Sequence, residues 1–171
     1  MATTESGSGV VWPLMKTAVF FVFVPGTVAG YIPYRLLRGP QIPPFAEFTA
    51  QLWVGATLFV LGAAALLWCG WHFAVTGLGT PAPFDPPKKL VAKGPYRWVR
   101  NPMYVSVGIV LIGESLFFQS WVLIRYLLFF WVIVHLFVLL YEEPTLRGKF
   151  GASYEEYCKR VWRWLPLPPR K

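Results

Sequence analysis

The sequence has little from which a soluble catalytic centre could be built. Two cysteines stand among 171 residues, too few for a disulfide framework or a cysteine zinc quartet. Cys69 falls in an apolar stretch and Cys158 in a charged one, so both read as incidental thiols, and His72 and His135 lack ligand spacing. Charged residues make up only 14% of the chain. No Gly-x-Gly-x-x-Gly follows a strand pattern and there is no Walker glycine loop, which removes the soluble dinucleotide fold and the phosphate-cradling loop. Repeats and low-complexity tracts are absent too. Met1–Gly9 carries Glu5 and shows neither a basic segment nor a small-residue cleavage site, so the apolar run behind it is expected to be retained.

What the chain does have is apolar length. Hydrophobic residues account for 56% of it and aromatic ones for 18%. Val10 to Ile32 is long enough to cross a bilayer, and Pro13, Pro25, Gly26 and Gly30 predict a bend of the kind membrane helices tolerate. Phe48 to Phe73 is a cleaner run, with Gly55, Ala56 and Gly62 to Ala65 supplying a face on which another helix can pack closely. Met103 to Tyr141 exceeds one crossing, and the polar break Gln119-Ser120 divides it into two antiparallel crossings. The expected fold is an all-α polytopic membrane protein with about four transmembrane helices. Its last two form a tight hairpin, followed by a cytoplasmic C-terminal helical segment. Residues 1–9 read as a flexible N-terminus, 10–75 as the first two transmembrane helices, and 76–171 as a loop, hairpin and tail carrying the chemistry, all within a single domain.

Charge orients these spans. With an even number of crossings, all of the 16 Lys and Arg except Arg35, Arg38 and Arg125 fall on one side, which the positive-inside rule makes cytoplasmic, with both termini there. The net charge of +8 then describes a basic collar against anionic headgroups, with no nucleic-acid partner implied.

Depth follows from helix rise. Counting outward from the Gln119-Ser120 break, Glu114 lies level with Arg125, and Tyr104 with His135. The first pair is expected to neutralise its own charge and pin the hairpin. Tyr104 and His135 lie toward the basic side, and Glu142 follows two turns after His135 on nearly the same face.

These residues join a polar cluster at that side: Lys93-Gly94-Pro95-Tyr96-Arg97-Trp98-Val99-Arg100-Asn101-Pro102-Met103-Tyr104 before the hairpin and Glu142-Glu143-Pro144 after it. Polar groups at a membrane level are costly unless used. A Gly-Pro-Tyr turn can present backbone groups beside a flat ring to a nucleobase, and Asn101 with paired carboxylates can bind hydroxyls or an ammonium, as an adenosyl cofactor requires. The plainer readings are an interfacial aromatic belt for Tyr96, Trp98, Tyr104, Trp162 and Trp164, lipid-surface charges for Lys88, Lys89, Lys159, Arg160, Arg170 and Lys171, and a turn-shaping role for Asp85.

The run Gly94 to Tyr104, the later Glu142-Glu143 with Leu146, and Phe150-Gly151 with Tyr154, Tyr157, Val161, Arg163 and Pro166 resemble the isoprenylcysteine carboxyl methyltransferase and phospholipid methyltransferase superfamily of integral membrane enzymes. The resemblance implies S-adenosylmethionine as cofactor, bound by Gly94, Pro95, Tyr96, Asn101, Tyr104, Glu142 and Glu143. It also implies catalytic-mouth arginines at Arg100 and Arg163 and a lipid or lipophilic acceptor from the bilayer. Asn101 stands where the carboxyl methyltransferases carry histidine, whereas asparagine is common in the phospholipid-methylating branch. A carboxylate acceptor would be held by Arg100 or Arg163, and an amine or thiol would need a base, His135 or a glutamate. Two other readings are an NADPH-dependent membrane reductase, whose related sterol-reducing proteins are longer with more spans, and a non-catalytic scaffold, which has no use for the set Asn101, Tyr104, His135 and Glu142. The acceptor's identity and the oligomeric state stay open at this level.

Overall fold

The computed structural model describes residues 8–39, 49–77 and 90–168. Most of the expected flexible N-terminus, Asp85, Lys88, Lys89, Arg170 and Lys171 lie outside these residues. Seven helices follow in order: α1 (Ser8–Phe23), α2 (Ile32–Leu37), α3 (Thr49–His72), α4 (Pro102–Phe117), α5 (Trp121–Phe137), α6 (Glu143–Phe150) and α7 (Ala152–Arg160). Among the described residues, three continuous helical segments are long and apolar enough to cross a membrane: Met15–Leu37, Ala50–Thr76 and Trp121–Phe150. The fourth, α4, has 16 residues and spans about 24 Å, against a hydrocarbon core of about 30 Å. The protein is an integral membrane protein, all-helical among its described residues apart from one isolated bridge.

The small-residue face of α3 is used inside the chain. A Cβ on Gly55 would stand 2.6 Å from the Phe117 nitrogen, and one on Gly113 would stand 2.6 Å from the Phe59 nitrogen, so the two backbones touch where α3 crosses α4. Further along the crossing, Gly62 meets Val110. The buried core beside this seam is Leu66, Val107, Leu111, Phe130, Val134 and Val138.

The first span, where a bend is expected, carries an irregular helical turn. α1 gives way to a π-helical turn, Thr27–Tyr31, whose last amide partner is the N–H of Ile32 to the Thr27 carbonyl. Continuing that pattern, the Val28 carbonyl would need the N–H of Pro33, which proline does not have. Tyr126 of α5 supplies the missing donor, its hydroxyl lying 2.8 Å from Val28 O. A part-buried carbonyl is thereby satisfied and the first span is tied to α5 at that level.

The hairpin turns through Phe118, Gln119 and Ser120, with Gln119 at φ 48°. The turn is where the sequence puts it, but the equal-depth pairing does not follow. Glu114 is buried with its Oε2 lacking a partner, and Arg125 is exposed, with no ion pair between them among the described residues. Helical side chains lean toward their own N-terminus. In antiparallel neighbours they therefore lean in opposite directions, Glu114 into the bundle and Arg125 toward the turn.

Candidate functional site

The N-terminal end of α4 is built by a short 3₁₀ turn, Gly94–Arg97, that docks on the end of α3. Gly94 sits at φ +58°, and a Cβ there would be 2.7 Å from the His72 ring, so both conformation and space require glycine. Pro95 takes the second position of the turn, where no intrahelical N–H is needed, and Tyr96 is carried inward beside Cys69, Phe73 and Val91. The Tyr96 carbonyl accepts a 2.6 Å hydrogen bond from the Tyr157 hydroxyl of α7, which ties this turn to the tail.

The strap after α7 is fastened to the same place. Val99 and Trp162 form a parallel bridge, Arg100 N–H donates to Trp162 O at 2.8 Å, and Asn101 Nδ2 donates to Arg163 O at 3.2 Å. Beneath the strap Glu143 is a hub, 2% exposed. It accepts Arg100 Nη1 at 2.9 Å and takes Arg163 in a two-pronged contact at 2.7 and 3.0 Å, with Arg147 Nη2 at 3.6 Å. The hydrogen bonds from Arg163 to Glu143 hold the guanidinium pKa above its ordinary value. Arg147 also reaches Glu155, which links α6 to α7.

Beside this network lies a cavity of about 500 Å³. Its polar mouth is lined by Tyr96, Arg100, Asn101, Tyr104, Glu142, Thr145, Tyr154 and Tyr157. From the mouth an apolar arm runs along the first span, α4 and α5 past Phe20, Val24, Pro25, Val28, Val107, Phe130, Val134 and Phe137. Each of the three π-helical turns contributes to the wall, through Val28, through Phe73, and through Tyr141 with Glu142. Tyr104 donates to Glu142 Oε2 at 3.0 Å. Tyr96 Oη and Arg100 Nε are buried without a protein partner, two donors left on residues that line the cavity. Burial pushes the Tyr96 phenol well above its ordinary range, so it remains a donor at any working pH.

Among the residues singled out in the sequence, Tyr96, Arg100, Asn101, Tyr104 and Glu142 line the cavity, and Gly94, Pro95, Glu143, Arg163 and His135 do not. Gly94 and Pro95 shape the turn, while Glu143 and Arg163 hold the strap. His135 faces outward, its Nδ1 accepting the Trp164 indole N–H at 3.1 Å. Tyr104 meets Glu142 rather than His135 because the tyrosine leans toward the mouth and the glutamate away from it. Sequence reasoning gave no site role to Phe20, Val24, Pro25 and Val28, apolar residues with nothing to separate them from lipid-facing neighbours. Tyr154 and Tyr157 were recognisable as motif members, but their place in the wall depends on the tail folding back.

The sequence matches the phospholipid methyltransferase family over residues 50–153. The chain belongs to this family. A protein-S-isoprenylcysteine O-methyltransferase of Schizosaccharomyces pombe is 38% identical over 82 residues, which are 47% of this chain and 34% of that protein. The chain therefore spans about a third of the yeast relative's length. An uncharacterized protein of Haemophilus influenzae is 30% identical over 63 residues, 37% of this chain and the whole of that protein. No solved structure matches. The family match takes in nearly all of α3 and the chain from Gly94 through α6, so the mouth residues from Tyr96 to Thr145 fall inside it, whereas α1, Tyr154, Tyr157 and the strap around Arg163 lie beyond it.

Proposed function

We infer that this protein is an S-adenosylmethionine-dependent methyltransferase acting on a lipid or lipophilic acceptor at the cytoplasmic membrane face. The observation that carries this reading is one cavity in which a polar mouth with two unpartnered buried donors opens into an apolar arm. The donor set suits the cofactor. Arg100 Nε and Tyr96 Oη can donate to carboxylate, ribose or adenine acceptors, and Glu142, which has no ion pair among the described residues, can face an ammonium or sulfonium. When bound, the cofactor supplies an electrophilic methyl group.

The chain's own residues then align and enclose. Tyr104 holds the Glu142 carboxylate in place, and the strap clamped by Glu143 keeps Asn101 and Arg100 at the mouth. Such positioning can lower a barrier by several kcal/mol with no further chemistry from the protein. A carboxylate acceptor would need only an arginine to hold it, and Arg100 is the one in the lining. An amine or thiol must lose a proton, and Glu142 in the cavity is better placed to take it than outward-facing His135.

The direct test is calorimetry of the detergent-solubilised, folded protein with S-adenosylhomocysteine, followed by incubation of membranes with radiolabelled S-adenosylmethionine and separation of the lipids. Binding and a labelled lipid-soluble product are expected. A folded protein that binds no S-adenosylhomocysteine would end this reading. The face is tested separately: single cysteines placed at Lys93 and Lys159 should label from the cytoplasmic side together.

A further inference from the structure

On the first span the lining of the apolar arm runs from Phe20 to Val28, and on α5 and α4 the lining residues farthest from the mouth are Phe130 and Val107, both buried. One turn beyond Phe130 on α5 the Tyr126 hydroxyl is bonded to Val28 O, at the last lining residue of the first span. In the π-helical pattern the next nitrogen for the Val28 carbonyl is that of Pro33, which has no N–H, so the tyrosine hydroxyl stands in for a backbone donor. Below the clamp, α1 and α5 frame the arm. The lining thus ends at Phe130 with the clamp behind it, and on the side of the first span it is made by residues outside the stretch matched to the family.

We propose that Phe130, backed by the Tyr126–Val28 clamp, is a depth gauge that selects acceptors by the length of a single alkyl chain. From Phe20 to Val28 the wall measures about 12 Å at helical rise, which holds roughly ten extended methylenes at about 1.25 Å each. A longer chain must bend, push α1 from α5 against the clamp, or leave its end in the bilayer. The proposal deepens the methyltransferase reading by naming the acceptor's chain class. Chain selection itself does not depend on which group the acceptor presents at the mouth.

The test uses protein in phosphatidylcholine nanodiscs and a homologous series of single-chain n-alkyl carboxylates competing with a fluorescent fatty acid. Bilayer tails solvate a methylene about as well as the slot does, so the informative quantity is the chain length at which competition stops improving. The parent protein should show such a break, and Phe130→Ala should move it upward by about two to four carbons, the extent of the removed ring. Phe130→Leu, which keeps more of the core filled, should move it by less in the same direction, so that a poorly folding alanine variant does not decide the matter. Tyr126→Phe keeps the ring and loses the clamp, and it should soften the break without abolishing chain binding. A break that stays at one length in the alanine and leucine variants, or no break in the parent, overturns the depth gauge. S-adenosylhomocysteine binding measured in parallel reports on the cofactor reading alone, so failure of either idea is seen separately.

Discussion

The two ends of the α4–α5 hairpin each hold carboxylate and arginine side chains, and they treat them oppositely. At the mouth, Glu143 is buried under Arg100, Arg163 and Arg147, and Glu142 takes a hydrogen bond from Tyr104. At the turn, Glu114 is buried with an oxygen unpartnered while Arg125 lies exposed. The difference comes from direction. Side chains on α4 lean toward the mouth and those on α5 lean toward the turn, so partners across the hairpin meet only when the α5 residue starts nearer the mouth. Tyr104 and Glu142 satisfy that condition, and Glu114 and Arg125 violate it. Chain that folds back then supplies what the hairpin alone lacks, since Arg163 arrives from the strap.

The sharpest way to break this contrast is to remove the hub. Glu143→Ala leaves Arg100 and Arg163 facing each other without a counter-charge in a largely buried place, for which a loss of about 3–5 kcal/mol is expected. Thermal unfolding should fall accordingly, and limited proteolysis should cut the tail beyond α6. A change no greater than that of an exposed charge would show that the network contributes little. The second effect in size is Arg163→Ala. Its backbone carbonyl still accepts Asn101, but two hydrogen bonds to Glu143 disappear, so the strap loosens. Turnover should drop more than cofactor affinity does, and the reverse order would place Arg163 at the cofactor.

Glu142→Gln separates the neighbouring carboxylates. Glutamine keeps the shape and can still accept from Tyr104, so the melting temperature should hold, while loss of the charge should weaken S-adenosylhomocysteine binding by about tenfold or more, in line with a charge-assisted hydrogen bond. Full affinity in this variant would assign the pocket's recognition to other groups.

Much of the frame was legible because membrane physics is written in apolar length. The position of the hairpin turn, the α3 face that α4 packs on, and the polar residues of the mouth all follow from run length, small residues and the cost of polarity in a bilayer. What escaped was direction and return. A depth count treats side chains as points on an axis, so it paired Tyr104 with His135 and Glu114 with Arg125. Neither the strap's docking beside Val99 nor the apolar wall made by α1 leaves a periodic signature, because both depend on segments far apart in sequence. Glu142 and Glu143 look alike as letters, and only the arginines reaching Glu143 tell them apart.

The smallest predicted effect bears most directly on the contrast between the two ends. Were Glu114 and Arg125 a pair, each single replacement would strand a charge, the two losses would couple by about 1–3 kcal/mol, and exchanging the residues would restore stability. The structure implies otherwise. Arg125→Gln removes an exposed charge and should change stability by no more than about 0.5 kcal/mol. Glu114→Gln substitutes an amide of the same shape for a buried carboxyl whose oxygen has no partner, so it should be neutral or stabilising by up to about 1 kcal/mol. A double-mutant cycle on reversible unfolding in detergent should therefore give a coupling energy below about 0.5 kcal/mol, and the exchanged protein should be no better than the sum of its parts. Strong coupling would mean that the two side chains do meet, and that opposite lean on antiparallel helices is not what separates the turn from the mouth.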